Sequence, residues 1–234
     1  MFLFYMKFVL SFLIVFLLST GVFSFENKKI KIDNFFIHKY EVTIKEFQEF
    51  ATNNNFLTLA EKTGGGYEWG SGWEKRKGWN YKTPYGEPPK SLLEPAVHIN
   101  KFESENYCKS IGGRLPTFKE WNTAAYKQSL PSKTFTLNKI YIYPSGDKAE
   151  KMNSQGLLNY NKHVDVTSLP EGINGLVAMG GNVWEWIADS KEGESLTAGA
   201  SWWYGAEKTK ESGAQYKPSN FYAIYVGFRC AFDK

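Results

Sequence analysis

Gly112 to Trp121 reads GGRLPTFKEW, and the other elements can be placed by working outward from it. Thr117 stands as an N-cap with Glu120 three residues on, the spacing of a capping box, in which each side chain satisfies a backbone N–H of the first turn. A helix is therefore expected to about Lys127. Upstream, Lys101 to about Ile111 reads as another helix closed by Gly112 and Gly113, with a short strand before it at Ala96 to Ile99. Further back, Lys29 to Ile32 alternates charged and apolar residues and enters a second strand at Phe35 to Ile37. Thr43 and Glu46 repeat the capping-box spacing while Phe47 and Phe50 share a helical face, which predicts a first helix from about Ile44 to Thr52. Between these helices, Gly64 to Pro89 is rich in Gly, Trp, Tyr and Pro with neither helical nor strand periodicity. It reads as a long loop, an aromatic lid or groove wall, because no Lys-Ser/Thr pair opens a helix after its glycines as a phosphate loop requires. Beyond Ser129 come short strands and turns, ending in the VWEWIAD and VGFRCAF strings. A few early helices followed by irregular strand define an α+β domain with much loop.

Composition narrows the function classes. Aromatic residues make up 17% of the chain, more than a core needs, so some are expected to line a recognition groove. The formal charge is only +4, and Arg76, Arg114 and Arg229 are the sole arginines, which excludes a nucleic-acid reader dependent on Arg forks. Residues 1–24 carry a single charge at Lys7, an apolar run from Phe8 to Leu18, and small residues at Val22 and Ser24 before a cut at Phe25. This is the layout of a signal peptide, leaving 25–234 as one domain and predicting a secreted or periplasmic protein. The apolar run is about half of the ~20 residues a spanning helix needs, so membrane association is expected only if the segment is retained. Cys108 and Cys230, the two cysteines, read either as a disulfide across ~120 residues or as two buried thiols. His38, His98 and His163 lack the spacing of a zinc or iron site.

Several strings occur in a fixed order: HKYEVTIKEF at His38 to Phe47, GGRLPTFKEW, NGLVAMGGNVWEW at Asn174 to Trp186, GASWW at Gly199 to Trp203, and GFRCAF at Gly227 to Phe232. Together they resemble the formylglycine-generating enzyme (sulfatase-modifying factor) family, from about Lys29 to Phe232. The resemblance implies a C-type lectin-like fold low in regular secondary structure and a disulfide between Cys108 and Cys230. Active members of that family carry two thiolates that bind copper and oxidise a substrate cysteine. Here Ser201 matches the family serine, but the two cysteine positions fall on Tyr204 and Thr209, neither of which offers a soft donor. No catalytic residue is therefore assigned and copper is not expected. Calcium is implied at two family sites, one through Gly181, Val183 and Glu185 with Ala178 at a lost side-chain ligand, the other through Asn153, Ser154 and Asn161 with His163 nearby.

On physical grounds, Arg114 and Arg229 are expected as buried forks that stitch loops together, and Trp121, Trp184 and Trp186 as core. Glu185 and Asp189 would share a face if their stretch were helical, but a structural role is expected rather than a paired acid/base site. The leading functional reading is an exported, non-catalytic binding or scaffold module whose ligand is a peptide, a glycan or an envelope protein. Its groove would join the Gly64 to Pro84 loop to Ser201–Tyr204, with Trp69, Trp73, Trp79, Trp202, Trp203 and Tyr204 as contacts. The alternative is a formylglycine-generating-type oxidase acting on a sulfatase cysteine, with Ser201 or Tyr204 taking part. A third reading is a variable display protein with its variation clustered between Trp202 and Tyr225.

Overall fold

The computed structural model describes residues 25–158 and 160–234. The expected signal segment lies outside them. Among the described residues no helix is long and apolar enough to cross a membrane.

Strands β1 (Lys29–Ile32) and β2 (Phe35–His38) pair antiparallel, and β2 takes β9 (Ala231–Phe232) on its other side, so the C-terminal strand is stitched to the first hairpin. The larger sheet is β7 (Gln215–Pro218), β6 (Glu194–Ala198), β5 (Trp184–Lys191) and β8 (Val226–Gly227), in that spatial order, with β8 parallel to β5. Helices α1 (Ile44–Asn53), α3 (Lys101–Ser110) and α4 (Phe118–Tyr126) lie close to their expected limits. The boxes Thr43/Glu46 and Thr117/Glu120 close as the sequence spacing requires. A fourth helix, α2 (Leu59–Lys62), starts on a box at Thr58/Glu61 that the sequence reading passed over.

Two expectations are corrected. Gly65–Trp69 and Trp73–Lys77 form an antiparallel hairpin, β3 and β4, inside the stretch expected to be loop. The ribbon packs so little that charged residues occupy both faces of β4, and a strand without a buried face has no alternation to detect. Conversely, Ala96 to Ile99 is buried but not a strand: the Ala96 N–H donates to the Val42 carbonyl, and His98 takes a left-handed φ of 58°, which breaks any extended run.

The core has two lobes on either side of β5. Trp184 and Trp186 pack with α1 and α3 residues such as Phe47 and Tyr107, while Ile187 joins Trp121 of α4 and Ile32, Phe35 and Ile37 of the first sheet. Alternation along one strand thus serves both lobes. Trp121, Trp184 and Trp186 are fully buried, as expected. Arg229 is a buried fork, whereas Arg114 is partly exposed and grips Glu120 with both of its terminal nitrogens and Asp233 with one of them. Cys108 and Cys230 form a disulfide, which fastens α3 to the segment leading into β9.

Candidate functional site

The segment carrying Ser201–Tyr204 leaves β6 through two left-handed residues, Gly199 (φ 88°) and Ala200 (φ 61°). A Cβ at Gly199 would sit 2.9 Å from the Met179 carbonyl oxygen, so the turn needs glycine. The Tyr204 carbonyl then accepts from the Gln155 N–H at 2.9 Å and from Ser154 Oγ at 2.5 Å, which anchors the backbone there independently of the side chain. The Tyr204 ring packs edge-on against Trp184 at 5.2 Å, and burial raises its phenol above the usual range.

Tyr204 forms part of the wall of a cavity of about 650 Å³, a size suited to holding a ligand. The hairpin contributes Tyr67 and Trp73, the chain after β7 contributes Phe221 and Tyr222, and the whole of β7 runs along one side. Next to it, Tyr225 gathers three indoles: its ring lies 6.3 Å from Trp73, 5.5 Å from Trp202 and 5.9 Å from Trp203, and its hydroxyl accepts from the main-chain N–H of Trp69 at 3.3 Å. Trp69, Trp73 and Trp203 nevertheless stay 44–46% exposed. Trp69, Trp73, Trp202, Trp203 and Tyr204 therefore come together. Trp79 does not: it packs on Tyr85 and His98, away from the cavity lining.

Tyr204 and Thr209, which the resemblance sets against the family cysteines, differ in their surroundings. Thr209 is fully buried, donates its hydroxyl to the Ala206 carbonyl in its own turn, and is tied through its carbonyl to the Tyr126 hydroxyl of α4. Ser201 is also buried, and its hydroxyl has no partner among the described residues; the same holds for the indole N–H of Trp184 and of Trp202.

Among the residues named for calcium, the one carboxylate is already engaged. Both oxygens of Glu185 are taken by Arg229, and one also accepts from Trp121 Nε1, leaving no charge free for a cation. At the second set, the Asn153 amide nitrogen donates to the Lys162 carbonyl and to Asn182 Oδ1, the Ser154 hydroxyl donates to the Tyr204 carbonyl, and Asn161 is exposed. No group of three His, Cys, Asp or Glu among the described residues could hold a metal ion. His163 instead sits between Glu94 at 3.1 Å and the Tyr85 hydroxyl at 3.2 Å, neutralised by burial against the opposing pull of Glu94. Burial likewise lowers His38 and His98 to about 3. Glu185 and Asp189 lie on a strand rather than a helix: Glu185 is buried, and Asp189 accepts from the Phe118 N–H at the start of α4. They form no acid/base pair.

The sequence reading missed Tyr225, Phe221, Tyr222 and Lys217. Its available signal was the density of aromatics from Tyr216 to Tyr225.

The arrangement defines a class first: a loop-rich α+β domain of the formylglycine-generating, C-type lectin-like type. It overlays PvdO from Pseudomonas aeruginosa with a TM-score of 0.63, 17% identity, and coverage of 86% of this chain and 80% of that one. It also overlays the Treponema denticola variable protein 1 with a TM-score of 0.58 and 15% identity, covering 86% and 84%. Residues 16–234 match the family model for the sulfatase-modifying factor enzyme 1-like domain, and the chain belongs to that family. It is 27% identical to the mouse formylglycine-generating enzyme over 69% of this chain and 50% of that protein, so it spans about half the length of that relative. It is also 27% identical to the mouse inactive C-alpha-formylglycine-generating enzyme 2, over 87% of this chain and 77% of that one.

Proposed function

We propose that this protein is a non-catalytic member of its family, exported to an oxidising compartment, that holds an extended peptide segment in the cavity beside Tyr204. The observation that carries this reading is the fate of its sulfur: both cysteines of the sequence are joined to each other, and the family thiol positions hold a cavity-wall phenol and a buried threonine. Chemistry that needs two soft sulfur ligands has nothing to work with. The disulfide itself favours an oxidising compartment.

A peptide is favoured over a glycan by topology. Strand β7 is the outer strand of the larger sheet, paired on one side only, and it lines the cavity along its whole length. An open edge next to aromatic pockets suits strand addition, where backbone bonds supply affinity and pockets read alternate side chains. The inactive relative noted above is compatible with the loss of catalysis.

The test is a peptide array and a glycan array probed with the folded protein and with Trp73→Ala, which strips one cavity wall. Peptides retained by the wild type and weakened about tenfold or more by the substitution are expected. Glycan binding without peptide binding would overturn the ligand assignment. Aldehyde formation on a sulfatase-type cysteine peptide in the presence of copper, read by mass spectrometry, would overturn the non-catalytic reading.

A further inference from the structure

The cavity contains one charged side chain. Of the residues that line it, Lys217 alone is ionisable outside the tyrosines, and it sits in the middle of the open edge strand β7. Its stem crosses the face of Trp184, with Nζ 4.0 Å from the ring centroid, and Nζ donates to Thr197 Oγ1 at 2.7 Å. An ammonium has three protons to give, and this hydroxyl is its one polar partner among the described residues. No carboxylate pairs with it there. The nearest charge that acts on it is the like charge of Lys208, from the turn after Ser201–Tyr204.

A cation held largely away from water beside a second lysine, with only the face of Trp184 and one hydroxyl to offset its lost hydration, is normally costly. Burial and Lys208 together lower Lys217 to about 7. The strain is relieved if a carboxylate enters from the cavity, since a charge-assisted hydrogen bond in an apolar site restores the counter-charge that the chain itself omits. The other wall residues suit the rest of such a ligand: Trp73, Phe221 and Tyr222 offer apolar faces, and none adds a negative charge that would repel it.

We infer that the cavity is a subsite for a peptide carboxylate, with Lys217 Nζ as its counter-ion and the aromatic walls flanking it. This rests on the peptide-binding reading above and specifies what that peptide must carry: an Asp or Glu side chain with apolar or aromatic neighbours.

The probes are the tripeptides N-acetyl-Phe-Asp-Phe-amide and N-acetyl-Phe-Asn-Phe-amide, blocked at both ends so that one ionised group separates them. Binding to the full-length protein is followed by calorimetry and by quenching of its tryptophan emission, to which the probes do not contribute. The Asp peptide is expected to bind about tenfold or more tighter than the Asn peptide. Lys217→Met, which keeps the stem over Trp184 but removes the charge, is expected to bring the two within about twofold, and Lys217→Arg to retain the preference. Equal binding of the two peptides by the wild type would overturn the carboxylate subsite and leave the peptide-binding reading standing; that comparison needs no variant to fold. A preference for Asp that survives in a folded Lys217→Met protein would overturn the assignment of Lys217. Failure of both peptides to bind would overturn the subsite and the peptide reading together. Binding of oligoglucuronate alone, dependent on Lys217, would do the same by naming a glycan as the acid.

Discussion

Replacing Arg229 by methionine keeps most of the buried stem volume and removes every donor of one guanidinium at once. Its Nε and Nη2 grip the two oxygens of Glu185 at 2.8 and 2.6 Å, Nη2 also donates to the Val177 carbonyl at 2.8 Å, and Nη1 reaches the His38 and Lys39 carbonyls at 3.2 and 2.9 Å. Both members of the ion pair are fully buried. In Arg229→Met, Glu185 would keep only the Trp121 indole N–H at 2.8 Å, which cannot neutralise a carboxylate. Breaking one side of a buried pair costs about 3–5 kcal/mol, mostly because the other charge is stranded. A domain with a total stability of about 5–15 kcal/mol would survive this, but narrowly. The assay is urea unfolding followed by tryptophan fluorescence, comparing wild type, Arg229→Met, Glu185→Gln and the double variant. Glu185→Gln retains a hydrogen-bond acceptor for Trp121 without the charge, so the double variant should cost less than the two single losses added together, by at least about 1 kcal/mol. A loss below about 1 kcal/mol for Arg229→Met, or strict additivity in the double variant, would refute the account of Arg229 as the knot between β2, β5 and the C-terminal segment.

Two further outcomes follow from the same frame. The disulfide closes a loop with a sequence separation of 122, so removing both sulfurs in Cys108→Ala/Cys230→Ala should release about 5 kcal/mol of unfolded-state constraint in the chain-entropy model; a loss under about 1 kcal/mol by urea unfolding would show that the crosslink does not act through the unfolded chain. Glu41 is buried, accepts from Asn182 at one oxygen and has no partner at the other, and burial together with the charge of Glu185 raises it from 4.5 to about 8. The native state therefore holds a proton that the unfolded chain releases above about 4.5, so this contribution to stability is complete below that pH and declines as pH rises to about 8. Glu41→Gln should flatten that decline, and an unchanged pH slope in urea midpoints would show that Glu41 is ionised in the fold.

What could be read from the sequence follows the range of the interactions. Thr43/Glu46 and Thr117/Glu120 are satisfied within one turn, so spacing alone predicts both helix starts. Thr58/Glu61 offered the same signal over a helix too short to show a face, and was passed over. The Gly65–Lys77 hairpin gave no period because neither face of β4 meets the core. The buried, irregular run at Ala96 is set by the Val42 carbonyl and by a left-handed His98, neither of which leaves a local trace. At the site, the aromatic residues near Ser201 could be named because they are dense in sequence. Trp79 was grouped with them by proximity in the chain, yet its ring is claimed by Tyr85 and His98. Lys217 could not be singled out at all, because its environment is made by Thr197 on β6 and Trp184 on β5, far away along the chain.

The buried knot and the cavity wall are held by different kinds of bond. The knot is Arg229, Glu185, Trp121 and the Cys108–Cys230 bridge; the cavity is Trp73, Tyr204, Lys217 and the rings around Tyr225. Position 204 is fixed by its backbone: the left-handed turn at Gly199 and Ala200 aims the segment, and the Tyr204 carbonyl is held by Gln155 and Ser154. A main-chain carbonyl accepts those bonds whatever side chain it carries. The scaffold therefore presents any residue at position 204 to the same cavity, and a phenol there adds an apolar wall against Trp184 where a thiolate would have offered a metal ligand. Because the preorganised part is main chain, a substitution at Tyr204 is expected to alter the cavity wall while leaving the path of the segment unchanged.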